Sequence, residues 1–235
     1  MFMDIISRFS IVTDNLPFLL EGTKVTIKIS FISFILALFI AFIVGILRAY
    51  SIPKIIKKIL AFYVEVFRGT PLLIQLFFIY YGLPSLGVTL DSNTVAIMGL
   101  ALNSGAYMSE IIRGAIKAVD KGQFEAAYSM GYSVLQATLN IVIPQALVVS
   151  VPALVNSFSD LLKSSSLITV ISITELTRCG QLIYTSTSRP FEVYTVIALI
   201  YFVLIYIASS ISKILEKKLS LKYWWEELKW ITILI

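Results

Sequence analysis

Three groups of polar residues interrupt stretches that are otherwise apolar. Glu65 and Arg68 lead to Gln75 in the first, and Asn103, Tyr107 and Glu110 form the second. Asn156, Asp160 and Lys163, with Ser164 beside them, form the third. Residues four and seven apart share one face of a helix, so each group can be a stripe. Charged groups at bilayer depth are costly and mark either a pathway or a pairing. As a pathway, the stripes line a cavity carrying both signs of charge, which suits a zwitterion. Arg68 or Lys163 would hold a carboxylate, and Glu110 or Asp160 would meet an ammonium group. As pairings, Glu65 with Arg68 and Asp160 with Lys163 are local ion pairs that hold helices together. The residues alone leave both readings open. Pro71, four residues after Phe67, removes one backbone hydrogen bond and frees a carbonyl. Membrane proteins use such broken helices at substrate sites.

The chain around these groups is 58% hydrophobic and 14% charged over 235 residues, with a mean hydropathy of +0.89. A soluble domain of that length needs more charge to cover its surface, so the class is membrane-embedded. Fifteen Phe, twelve Tyr and three Trp suit lipid contacts and interfacial belts. The net charge of +5 does not point to nucleic acid, because Lys and Arg collect in the gaps between apolar runs. The absence of His and the single Cys179 exclude the usual imidazole or thiolate metal site, His-based catalysis and an intrachain disulfide. No paired nucleophile and base is present, which argues against an intramembrane enzyme. The N-terminus lacks the pattern of a removable signal.

Uncharged runs of about 20 residues can cross a bilayer. The spans expected are Ile29 to Leu47, Gly69 to Leu90 with a start nearer Ile59, Ser92 to Ser109, and Val193 to Ser212. The run from Ala126 to Ser159 is too long for one crossing. Arg48, Lys54, Lys57 and Lys58 follow the first span, and Lys213, Lys217, Lys218 and Lys222 follow the last. The positive-inside rule puts both groups in the cytoplasm. Five spans, with the N-terminus outside and the C-terminus inside, satisfy it. The first part of the long run then lies on the cytoplasmic face, and Pro144 begins the fourth span, since proline is tolerated in a first helical turn. SSSLIT, after Lys163, reads as a non-spanning return.

On that face lies EAAYSMGYSVLQATLNIVIP, Glu125 to Pro144. Glu125 suits a first helical turn, and Ala126 and Ala127 leave a low profile. Gly131 permits a turn that a side chain would forbid. Two short helices joined at a glycine make an element that another protein can grip. Glu125, Ala126, Ala127, Gly131, Ile141 and Pro144 together match the EAA loop of ABC-importer permeases, with Ile143 where that family prefers Leu. Three further stretches, VEVFRGTPLLIQLFFIYYGLP, LNSGAYMSEIIRGAIKAVDKGQFEAA and PALVNSFSDLLKSSSLITVISITEL, resemble permeases of the polar amino acid importers.

The resemblance implies an all-α, polytopic membrane fold of the type I ABC importer kind, in the bacterial cell membrane. It implies one transmembrane domain over residues 1–220, with a coupling loop at about 117–144 and a tail over 221–235. It implies a second permease chain (the same or different), two ATPase subunits that bind ATP and Mg, and an extracytoplasmic binding protein that delivers an amino acid. No cofactor or metal is expected on this chain, which lacks a phosphate loop. Positions matching the family's substrate lining are Arg68, Gln75, Glu110, Lys163 and Ser165. Many relatives carry an acid where this chain has Ser164, which favours a net-neutral substrate over a cationic one. Loop wording resembles the cystine-type permeases. The tail could form an interfacial helix, with Leu221, Trp225, Leu228 and Ile231 on one face and Trp224 and Trp230 as further anchors. The rivals are an ion-coupled secondary transporter, which usually shows repeats that are missing here, and a membrane partner of an ATPase that transports nothing.

Overall fold

The computed structural model describes residues 9–234, with side chains as far as Ile214 and again at Lys217. Helices account for its regular structure, and there is no strand among the described residues. Helix α1 runs Leu16–Ala49, α2 Lys54–Gly69 and α3 Leu72–Phe77, which continues through a π turn (Phe78–Gly82) and a 3-10 turn (Leu83–Leu86). Helix α4 runs Ser92–Ala118. The short helices α5 (Lys121–Ser129) and α6 (Val134–Ala137) follow. Helix α7 is Ile143–Ser164, α8 Leu176–Thr187 and α9 Pro190–Leu234.

Four stretches are long and apolar enough to cross a bilayer: Leu16–Ala49, Ser92–Ala118, Val134–Ile171 and Pro190–Ile214. The pair α2 and α3 qualifies only when taken together, bent by 109° at the break. The five expected spans correspond to these four with the bent pair counted as one. Their ends differ from expectation for a common reason. An uncharged run stops at the first ionic side chain, whereas a helix continues while its backbone bonds are made. Thus α1 begins before Glu21 and Lys24, which pair with each other at 2.6 Å on its exposed face. Likewise α4 passes Ser109 and carries Glu110, Arg113 and Lys117. At its start Asp91 accepts from the Thr94 amide at 3.0 Å, and the Thr94 hydroxyl and amide hold its carboxyl below the usual carboxylate range.

The fourth span also departs from expectation. Pro144 sits in the first turn of α7, as expected, but the helix does not start afresh there. A π-helical turn at Thr138–Val142 joins α6 to α7 without a break. The wider turn accommodates a residue with no N–H to donate. The return after Lys163 is present as a 3-10 turn, Ser165–Ile171, followed by α8. The N-cap of α8, Glu175, is buried and accepts from the Thr177 and Arg178 amides and the Tyr201 hydroxyl, each at 2.9 Å.

The core is organised by small residues. One side of α1 buries Gly22, Thr26, Ser30, Ser33, Ala37, Ala41 and Gly45, a stripe that lets another backbone come close. Helix α4 fills it. A Cβ built at Gly45 would meet the Ser109 carbonyl at 2.7 Å and the Ile112 Cβ at 2.9 Å, so only glycine permits this approach. Large apolar side chains such as Phe31, Phe39 and Phe202 point outward, as lipid-facing residues must. The tail continues α9 as helix. The side chains of Leu221, Trp224, Trp225, Leu228, Trp230 and Ile231 fall outside the described residues.

Candidate functional site

The bend between α2 and α3 creates the polar site. Thr70 is extended and Pro71 has no N–H, so the last carbonyls of α2 lose their helical donors. Side-chain amides replace them. Gln75 Nε2 donates to the carbonyls of Phe67 and Thr70, both at 3.0 Å. Asn103 Nδ2, from α4, donates to the same Phe67 carbonyl at 3.0 Å and to Gln75 Oε1 at 3.1 Å. Two amides thereby staple a broken helix to an intact one, satisfying backbone groups that the helix itself no longer can. Gln75→Leu would orphan the Thr70 carbonyl and remove half of the Asn103 contact, at a cost of about 1–3 kcal/mol. A thermal melt of the purified chain should fall by several degrees, with Gln75→Glu no better because it adds a charge and removes the donors.

Beside the staple opens a cavity of about 680 Å³. The break supplies Arg68, Thr70, Pro71 and Leu72, α4 supplies Asn103, Ser104, Tyr107, Glu110 and Ile111, and α7 supplies Ser157, Asp160, Leu161 and Ser164. Of the ten residues read as substrate-facing, six meet here: Arg68, Asn103, Tyr107, Glu110, Asp160 and Ser164. Gln75 is buried behind the wall. Ser165 is buried and donates to the Leu162 carbonyl at 2.7 Å. Asn156 and Lys163 are exposed outside the lining, although Lys163 reaches Asp160 at 2.9 Å.

The stripe of Asn156, Asp160 and Lys163 on α7 is thus one residue out of phase with the cavity. The helix's cavity face runs Ser157, Asp160, Leu161, Ser164. Of the residues expected there, Asp160 and Ser164 lie on that face, and Asn156 and Lys163 do not. Both sets obey helical spacing, and composition does not say which one turns inward. Ser104 and Ile111 were missed for a simpler reason: each adjoins a residue already on the α4 stripe, within the width of a helix face.

Charges in the site are arranged differently from the simple pairing reading. Arg68 does not pair with Glu65. It approaches Glu110 at 3.8 Å and lies 5.3 Å from the centre of the Tyr107 ring, whose hydroxyl donates to the Arg68 carbonyl at 3.2 Å. Glu110 in turn is held by Arg48 from the end of α1 and by Arg113 one turn along α4, whose Nε donates to both carboxylate oxygens at 3.1 Å. Sequence reading used Arg48 and Arg113 only as orientation charges. The signal that could have found them is Glu110 itself, since a carboxylate at that depth needs cations within reach. Asp160 does form the local pair with Lys163, but on the cavity rim, with both side chains more than half exposed.

The hairpin is equally explicit. Helix α5 ends in a Schellman motif: the Tyr132 amide donates to the Ala127 carbonyl at 3.0 Å and the Gly131 amide to that of Tyr128 at 2.9 Å. Gly131 has φ +83°, the left-handed region that glycine enters freely. Ser133 and Gln136 then form a capping box that starts α6. Ala127 is buried, whereas Glu125, Ala126 and Gly131 lie on the surface with Tyr128, Met130 and Leu135 around them. Ile141 is half-buried within the π turn and Pro144 sits exposed in the first turn of α7. The ring of Phe124 in α5 packs edge-on against Tyr50 at the end of α1, centres 6.5 Å apart.

The comparisons agree with this architecture. Residues 37–221 match the family described as the binding-protein-dependent transport system inner membrane component. The chain is 39% identical over 212 residues to the arginine transport system permease protein ArtQ of Bacillus subtilis, covering 90% of this chain and 96% of that one. It is 40% identical to the probable glutamine ABC transporter permease GlnP of the same organism, covering 91% of this chain and 98% of that one. Among solved structures, an amino acid ABC transporter crystallised with histidines superposes with a TM-score of 0.84 at 38% identity, over 89% of this chain and 98% of that one. The MetNI methionine ABC transporter shares the fold at a TM-score of 0.76 and 19% identity, over 88% of this chain and 98% of that one. By motif, fold and sequence the chain belongs to the inner-membrane components of binding-protein-dependent transport systems, among the amino-acid ABC transporter permeases.

Proposed function

We propose that this chain is one of two permease subunits of an importer for a polar, net-neutral amino acid, driven by ATP hydrolysis in partner subunits. The observation that carries the reading is the cavity at the broken helix, where Arg68 and Asp160 offer both signs of charge to one small zwitterion. Arg68 meets the carboxylate and Asp160 the ammonium group, while Tyr107 and Ser164 contact the polar side chain. Glu110 faces the cavity with its oxygens already engaged by arginines, so it adds little free negative charge. That arrangement supports a net-neutral substrate over a cationic one, as does Ser164. The relatives carry names for arginine, glutamine and cystine transport, which supports the amino-acid class.

The hairpin of Glu125, Ala126, Ala127 and Gly131, with Ile141 and Pro144 leading into α7, docks on an ABC ATPase that binds ATP and Mg. Two such ATPases, a second permease chain and an external binding protein complete the complex. The N-terminus faces outward and the C-terminus the cytoplasm, with residues 1–220 as the transport domain. Closure of the ATPases draws the two hairpins together, and the spans rock so that the cavity opens outward, loads, and reopens inward after hydrolysis. Uptake into proteoliposomes holding the whole complex tests this. Arg68→Ala should raise the substrate concentration for half-maximal uptake roughly ten- to a hundredfold, the value of a charge-assisted hydrogen bond, with Arg68→Lys in between. Unchanged uptake in Arg68→Ala, or uptake that follows an ion gradient and ignores ATP, would overturn it.

A further inference from the structure

Helix α2 is the least embedded of the long helices. Its turns from Lys54 onward divide into three faces. Val64 is buried, and Tyr63 reaches the Leu102 carbonyl of α4 at 2.7 Å. A second face bears Ile55, Ile59 and Phe62, which are 74%, 62% and 69% exposed. The third bears Lys54, Lys57 and Lys58, all exposed and without an ion-pair partner among the described residues. The one acid on that side, Glu65, lies farther along and pairs with none of them.

An apolar stripe flanked by lysines fits the boundary between acyl chains and phosphates. The lysines also stand at the end of the helix where the backbone dipole disfavours cations. Such a placement calls for a counter-anion, and the described residues supply none. We propose that Lys54, Lys57 and Lys58 form a binding site for the headgroup phosphate of an anionic phospholipid, with Ile55, Ile59 and Phe62 lying among its acyl chains. The 16 residues of α2 form a rod of about 24 Å whose far end carries Arg68 and abuts the break at Pro71. Lipid held at one end fixes the position of the cavity wall at the other. This second step rests on the transport reading, whereas the binding step does not.

The test has two arms, both on the whole complex. In the first, a fluorophore on Ile59→Cys, in a Cys179→Ser background, is quenched by brominated lipids. Brominated phosphatidylglycerol should quench at roughly tenfold lower mole fraction than brominated phosphatidylcholine, as a few lysines near the surface provide. K54Q/K57Q/K58Q should erase that difference, and salt should weaken it. Equal quenching by the two lipids in the parent chain would overturn the site. Quenching by neither would also overturn it, because a second copy or another protein would then cover the face. In the second arm, uptake should be several-fold faster with phosphatidylglycerol than without, and the triple variant should show the slower rate in both membranes. Lipid-independent uptake in the parent chain would overturn the link from α2 to the cavity. No uptake in any membrane, with lipid selectivity intact, would instead contradict the transport reading and leave the headgroup site standing.

Discussion

Gly131→Val should reduce ATP-dependent uptake at least tenfold while leaving the membrane core folded. Nothing lies within 4 Å of a Cβ built at Gly131, so the substitution meets no steric neighbour. Its effect is conformational. At φ +83° a side chain costs about 1–2 kcal/mol, and a β-branched one more. Helix α5 is nine residues long, too short to be stable alone, and the Schellman turn after it sets its angle to α6, which continues into α7. If the chain leaves the left-handed region, the bonds from Gly131 and Tyr132 break and the exposed residues on the two helices no longer form one surface. A graded series separates this from a lost contact: Asn should be nearly tolerated, Ala intermediate and Val inactive. Co-purification of the ATPase should follow the same order, with thermal unfolding of the chain unchanged. Full uptake by the Val variant would remove the hairpin from the mechanism.

The sequence was most informative where one residue type has a single physical use. Gly131 and the helix signals around it specified the hairpin, and Pro71 specified the break. The bilayer length located four apolar helices and the bent pair, although ionic residues inside α1 and α4 concealed their true ends. What could not be read was phase and partnership. Helical spacing permits both the Asn156 face and the Ser157 face of α7, and the choice depends on packing against α4 and α9. Gln75 and Asn103 looked like substrate contacts because they are polar at bilayer depth. In the structure they satisfy carbonyls freed by the neighbouring proline, a need visible in the sequence once Phe67 and Pro71 are considered together. Arg48 and Glu110 lie 62 residues apart in the chain, and only the close packing of α1 on α4 at Gly45 brings them together.

That packing leads to an asymmetric prediction at Glu110. Its side chain is 17% exposed and Arg48 is 15% exposed, so the pair is mostly withdrawn from water, with Arg113 and Arg68 close by. Removing the single acid leaves three cations around a partly buried space. Removing Arg48 leaves Glu110 with Arg113 and Arg68. Breaking a buried pair from the side that leaves charges uncompensated costs about 3–5 kcal/mol. Glu110→Gln should therefore lower the melting temperature of the purified chain much more than Arg48→Gln, although each removes one charge from the same bridge. Adding Arg48→Gln to Glu110→Gln should recover part of the loss, because it reduces repulsion among the remaining cations. A residue whose only task was to bind an ammonium group would behave otherwise: both variants would melt like the parent, and Glu110→Gln alone would lose uptake. The order of the melting temperatures thus separates a carboxylate that organises the cavity from one that meets the substrate. If it organises the cavity, Asp160 is the carboxylate left for the substrate's ammonium group, and Asp160→Asn should impair uptake without lowering the melting temperature.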